Sequence, residues 1–244
     1  MDIGIVSLFP DMFQALDYGV IGQAMKRDQL RLHRFNPRDF SDDKHGQVDD
    51  RPYGGGPGMV MMAPPLSRCL GAAKQALPQA KVIFVTPKGQ VFKQQHAAEF
   101  ATRRQVIFLA GRYEGVDQRL IDTCVDEEWS LGDVVLSGGE IPIMAMIDAT
   151  ARLLPGVLGD EMSAQCDSFT TGMLDHPHYT RPQEYAGVSV PEVLCSGHHQ
   201  EIAAWRLYQA VKLTWQRRPD LLAQANLAPE IKAVLEDVIL AEQR

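Results

Sequence analysis

"KVIFVTPKGQVFKQQHAAEFATRRQVIFLAGRYEGVD" runs from Lys81 to Asp117. Two short runs rich in branched and aromatic residues, Lys81 to Pro87 and Gln105 to Gly111, are each closed by turn residues. That is the pattern of a buried strand. "KQQHAAEFAT" between them is helical in character. A strand, a helix and a second strand in this order predict a largely parallel sheet with helices packed on it.

The same rhythm extends outward in both directions. "IGIVSLF" (Ile3 to Phe9) reads as a buried strand, and "LRLHRF" (Leu30 to Phe35) alternates as a half-buried one. "MFQALDYGVIGQAMKRD" between them suits one or two short helices. "DVVLSGG" (Asp133 to Gly139) is expected to be a further strand. "EIPIMAMIDATARLL" (Glu140 to Leu154) carries helix periodicity. The fold class is therefore α/β.

Past Pro155 the pattern stops in a stretch rich in Gly, Pro, Ser and Asp. From His198 the chain turns helical: Ile202, Trp205, Tyr208, Val211 and Trp215 fall on one stripe. Pro219 and Pro229 suit first helical turns. The expected organisation is an α/β domain over 1–158, a flexible linker over 159–178 and a small helical domain over 179–244.

Bulk properties narrow the class. The 244 residues are 45% apolar and 23% charged, as in ordinary globular proteins. The apolar run at the N-terminus lacks a preceding basic segment, so it is not read as a signal peptide. No segment is long and apolar enough to span a membrane. Cys69, Cys124, Cys166 and Cys195 are scattered, which argues against a disulfide framework or a cysteine zinc site and suits a cytoplasmic protein. A net charge of −7 disfavours a protein that coats nucleic acid but allows a local basic surface.

Three loops follow predicted strands: "VTPKGQ" (Val85 to Gln90), "AGRYEGVD" (Ala110 to Asp117) and "LSGGEIP" (Leu136 to Pro142). In parallel sheets the ligand cleft lies outside the carboxyl ends of the strands. These loops should bring backbone N–H and C=O groups to one cleft, with Arg112, Glu114 and Glu140 as its charges. A ligand carrying both a cation and a carboxylate fits that set better than a polyphosphate. The glycine run "RPYGGGPGM" (Arg51 to Met59) is no Walker A loop, because Met59 follows Gly58 where lysine is required. It follows no strand either, so it is no dinucleotide fingerprint.

Six motifs stand in order along the chain: "RPYGGGPGM", "GRYEGVD", "EEWSLGDVVLSGGE", "CDSFTTG", "DHPHYTRP" and "SGHHQEI". By these the chain resembles, almost end to end, the bacterial tRNA (guanine-N1)-methyltransferases. These knotted, SPOUT-type enzymes modify the guanosine 3′ of the anticodon, at position 37. The resemblance implies a C-terminal trefoil knot in the α/β domain and S-adenosylmethionine as donor. It also implies magnesium, and a homodimer whose active sites lie at the subunit interface.

It further implies site residues. The donor would be held by Thr86, Pro87 and Lys88, by Gly111, Arg112, Tyr113 and Glu114, and by Leu131, Gly132, Asp133, Val134, Val135, Leu136, Gly138, Gly139 and Pro142. Asp167 would be the general base and Arg152 would hold the guanine. Read alone, Asp167 is a turn residue and Arg152 a partner of a helix C-terminus. On the RNA side stand Arg51, Tyr53 and Gly55, with Ser168 and His178. Arg206, Arg217 and Arg218 of the tail form a basic strip beside aromatics, suited to RNA backbone and unstacked bases. His176, His178, His198 and His199 invite a metal reading. With no cysteine or carboxylate recognised at ligand spacing, loop hydrogen bonds or RNA contact are expected instead.

Overall fold

The computed structural model describes residues 1–159, 167–224 and 227–242. These cluster into two compact units, Met1–Glu161 and Met162–Arg244.

The first unit is built on a five-stranded parallel sheet in the order β2-β1-β6-β5-β7. The strands are β1 (Asp2–Val6), β2 (Arg31–Phe35), β5 (Lys81–Val91), β6 (Gln105–Ala110) and β7 (Glu127–Ser130). Two short pieces, β3 (Asp49–Asp50) and β4 (Val60–Met61), pair antiparallel outside it. The helices are α1 (Gly19–Lys26), preceded by a 3-10 segment Pro10–Asp17, then α2 (Ala63–Ala76), α3 (Gln94–Ala101), α4 (Gln118–Cys124) and α5 (Glu140–Ala151).

The central strands are apolar on both faces because each face is covered. Ile3, Ile5, Ile83, Val85, Val106 and Phe108 pack with Ile143, Met146 and Ile147 of α5. Val6, Val82, Phe84, Ile107 and Leu109 pack with Leu66, Cys69 and Leu70 of α2. A doubly covered parallel sheet buries its strands on both sides, so they read as continuous apolar runs rather than alternating ones. Burial in this second layer pushes the Cys69 thiol up to about 12.

Two sequence expectations change. The first strand ends at Val6, because the Ser7 hydroxyl accepts the Phe9 amide at 2.9 Å and turns the chain. More consequentially, Asp133 to Gly139 is not a strand. Val134 and Val135 lie in an exposed irregular segment, Val135 being 91% exposed. The strand is "EEWS" instead, at Glu127–Ser130. Its polar sequence is accommodated because Glu127 accepts from Lys81 at 2.9 Å, Arg103 at 3.0 Å and the Trp129 indole at 2.9 Å. Strand propensity yields to such tertiary context.

The second unit is mostly helical. It contains a two-stranded hairpin, β8 (Glu184–Tyr185) with β9 (Val188–Ser189), then α6 (Glu192–Cys195), α7 (His199–Arg217), α8 (Pro219–Gln224) and α9 (Pro229–Glu242). Val211, Leu222 and Val238 form its core with Met173. The Leu174 amide donates to the buried Thr214 hydroxyl at 3.0 Å. Residues 167–178, placed in the linker by the sequence, are thus tied to the helices. Residues 160–166 of that span lie outside the described residues.

Candidate functional site

The carboxyl ends of β5, β6 and β7 open onto a cavity of about 510 Å³. Its walls are Thr86–Lys88, Gly111–Val116 after β6, and the 130–139 segment from the end of β7 onward, with Pro142 from α5. Thr86–Lys88 lie within β5, where its pairing with β7 is interrupted between Val85 and Gln90, rather than in a loop after it. Every residue expected to hold the donor lines this cavity except Asp133.

Backbone approaches backbone where these segments meet. A Cβ added to Gly89 would fall 2.4 Å from the Trp129 nitrogen, so the end of β5 lies directly across β7. A Cβ on Gly139 would fall 2.9 Å from the Ala110 Cα. There the Gly139 amide instead donates to the Gly111 carbonyl at 2.9 Å. Only glycine allows either approach.

The charges divide into floor and wall. Glu140 is fully buried and does not line the cavity. Its Oε1 accepts the Ser7 hydroxyl at 2.7 Å and its Oε2 accepts Arg112 Nε at 2.9 Å. Arg112 Nη1 donates onward to the Ser137 carbonyl at 3.1 Å, and its guanidinium stacks over Phe9 at 4.6 Å. Arg112 is therefore committed to holding the 137–139 turn against β6. A buried carboxylate needs such partners to offset its desolvation. The expectation that Glu140 faces ligand is corrected: its first-turn position places it under the cleft, towards Ser7.

Glu114 does reach the wall, and with it the glycine run finds its place. The Glu114 amide donates to the Met59 carbonyl at 3.0 Å, and the Met61 amide to the Gly115 carbonyl at 2.9 Å. A Cβ on Gly58 would collide with the Glu114 side chain. The base of the 51–58 loop is thus docked beside the cavity, while Tyr53 at its tip is wholly exposed. Gly55 has φ +76°, a left-handed conformation with nothing within 4 Å of its would-be Cβ.

The remaining candidates are placed as follows. Arg152 caps the C-terminus of α5 in the first unit, and Asp167 begins the described part of the second. Ser168 accepts the Asp175 amide at 2.9 Å, and His178 Nε2 lies 2.8 Å from Asp175 Oδ2. Arg206 and Arg217 are exposed on α7. Arg218 is also exposed but is engaged by Asp220 through two hydrogen bonds of 2.8 and 2.9 Å, which weakens its claim on phosphate.

The residue that sequence reasoning missed is Asp175. Ser168, His176 and His178 all gather on it. Burial alone would raise its carboxyl; hydrogen bonds from His178 and the His176 amide outweigh that and hold it below the usual carboxylate range. His176, His178 and Asp175 offer ligand atoms within 4.8 Å of one another, so the expected lack of a carboxylate partner is corrected. The signal was Asp immediately before His-Pro-His. Among the described residues, His198 and His199 are not part of this group.

With this geometry in view, comparison with known proteins is decisive. The model of the family tRNA (Guanine-1)-methyltransferase TrmD matches residues 1–224. The chain belongs to that family. It is 55% identical over 241 residues to the tRNA (guanine-N(1)-)-methyltransferase of Aeromonas hydrophila, covering 98% of this chain and 97% of the relative. A protein of the same name from Actinobacillus pleuropneumoniae is 55% identical over 244 residues, and one from Vibrio vulnificus 54% over 241. Both alignments cover 98% of this chain and 97% of the relative. Membership of this family makes the protein a methyltransferase. Among its described residues, no helix is long and apolar enough to cross a membrane.

Proposed function

We propose that this enzyme transfers a methyl group from S-adenosylmethionine to N1 of the guanosine at position 37 of tRNA. The observation that carries the proposal is the convergence of the three strand-end loops on one cavity, whose size suits a ligand of that class. Arg112 is already occupied by Glu140 and Ser137, which weakens its claim on a phosphate. The glycines in the cavity wall, Gly111, Gly132, Gly138 and Gly139, leave main-chain groups open to a flat purine.

The loops at 86–88, 111–114 and 131–139 would hold the adenosine, ribose and methionine parts. When bound, S-adenosylmethionine supplies an electrophilic methyl group. The protein's own contribution falls to two residues. Asp167 takes the proton from guanine N1, which is a poor nucleophile while it carries that proton. Arg152 donates to O6, where negative charge gathers as the proton leaves. The trefoil knot that the family resemblance implies belongs to this proposal; beside these loops the Gly89 backbone of β5 packs directly against Trp129 of its parallel neighbour β7.

A homodimer with sites at the interface accounts for the apolar rim. Tyr113, Val134, Val135 and Leu136 are exposed around the cavity, and Ile141 is exposed on the first turn of α5. Arg206 and Arg217 would meet tRNA backbone. A cytoplasmic location follows from that substrate. Magnesium is harder to place. It prefers oxygen ligands, whereas the preorganised donor group found among the described residues has two imidazoles. We assign magnesium no step.

The test separates donor binding from chemistry. Asp167→Ala should bind S-adenosylmethionine as the wild type does and lose about 10²-fold or more in single-turnover methyl transfer. Wild-type turnover in this variant would remove Asp167 as the base.

A further inference from the structure

We propose that Asp175, His176 and His178, none of which is among the residues lining the donor cavity, form a binding site for a divalent transition metal of the zinc class. Each residue offers one ligand atom, all within 4.8 Å of one another. The decisive feature is the state of His176. Its Nδ1 lies 3.1 Å from the Pro177 carbonyl oxygen. A carbonyl has no hydrogen to give, so in the neutral ring Nδ1 carries the proton and Nε2 keeps its lone pair. That Nε2 is 3.8 Å from Asp175 Oδ1. Two electron-pair donors thus stand close together, where ligands about 2.0–2.1 Å from a tetrahedral ion would be about 3.4 Å apart.

The third residue stands on the other carboxylate oxygen. His178 Nε2 lies 2.8 Å from Asp175 Oδ2, and one proton is held between them. A metal would displace that proton and take His178 Nε2 together with His176 Nε2 and a single carboxylate oxygen, since binding to protonated ligands releases protons. The outer contacts are those a metal ligand needs. The His176 ring is oriented by the Pro177 carbonyl, and the Asp175 carboxylate accepts the His176 amide at 2.7 Å. The His176 and Asp175 side chains are mostly shielded while that of His178 is 72% exposed, which gives an entry path and an open coordination position. Two nitrogens and one oxygen favour zinc-class ions over magnesium. The Asp175 amide donates to Ser168 Oγ at 2.9 Å, so a bound ion would brace the turn beside Asp167.

The test is equilibrium dialysis of tag-free, full-length protein against CoCl₂ and ZnCl₂ with excess MgCl₂ present. Bound metal is quantified and the cobalt visible spectrum recorded. The wild type should hold one equivalent that magnesium does not displace. His176→Ala and His178→Ala should each weaken that affinity at least about tenfold. Asp175→Asn keeps the side-chain shape and should do the same, with circular dichroism confirming the fold. Cys195→Ser, which removes an exposed thiol, should retain the equivalent. No binding to the wild type would overturn the proposal. So would unchanged binding in the histidine variants, or loss of the equivalent only in Cys195→Ser.

Discussion

At the scale of single residues, burial decides what a charged side chain is for. Glu140 and Glu114 both stand in loop motifs beside glycine, and the chain alone does not distinguish them. The structure buries one beneath the cleft with Ser7 and Arg112 and sets the other against the glycine run. Glu140→Ala would leave Arg112 without its carboxylate and the 137–139 turn without its tie. Chemical denaturation should show a loss of about 3 kcal/mol, the low end for a broken buried pair because Arg112 keeps some solvent contact. Donor affinity should fall with it. Cysteine reactivity offers a second check. With its thiol held up to about 12, Cys69 should resist alkylation at pH 8 in the folded protein, while the exposed Cys195 reacts. Peptide mapping after labelling reads both. The loop residues of the cavity were legible from their motifs. Asp175 was not, because its importance arises from what folds onto it.

At the scale of elements, the strands that were legible are those with branched apolar runs. β7 was not, since its strand character comes from ion pairs reaching in from Lys81 and Arg103. The valines that imitated a strand lie in the cavity rim instead. Two predictions belong here. Gly89→Ala would drive a methyl group into the backbone of β7. It should cost about 1–3 kcal/mol in stability, read by unfolding, and weaken donor binding. The second concerns Glu127. Burial opposes its charge, but hydrogen bonds from Lys81, Trp129 and Arg103 prevail and lower its pKa. Its contribution to stability is therefore present above its unfolded value of about 4.3 and is lost as pH falls through the lower folded value. Glu127→Gln should be less stable than wild type at pH 7. The gap measured by thermal unfolding should close as pH drops below about 4.3.

At the scale of the whole molecule, the parallel sheet places three loops at one end, and the alternation of strand and helix along the chain already implies that arrangement. Neither a threaded chain nor a pairing of two chains leaves a periodic trace in sequence; the family resemblance alone implies both. The exposed Val135 tests the pairing: Val135→Asp should shift the protein towards monomer in analytical ultracentrifugation. The central claim is that a carboxylate at Asp167 prepares a guanine nitrogen for methylation by a donor in the strand-end cavity. Its most direct test is to incubate the enzyme with isotopically labelled S-adenosylmethionine and unmodified tRNA, then map the labelled atom by nuclease digestion and mass spectrometry. The label should appear on N1 of the guanosine 3′ of the anticodon with wild-type enzyme and be nearly absent with Asp167→Ala. Label on a ribose oxygen or another base, or equal labelling by the two proteins, would contradict it.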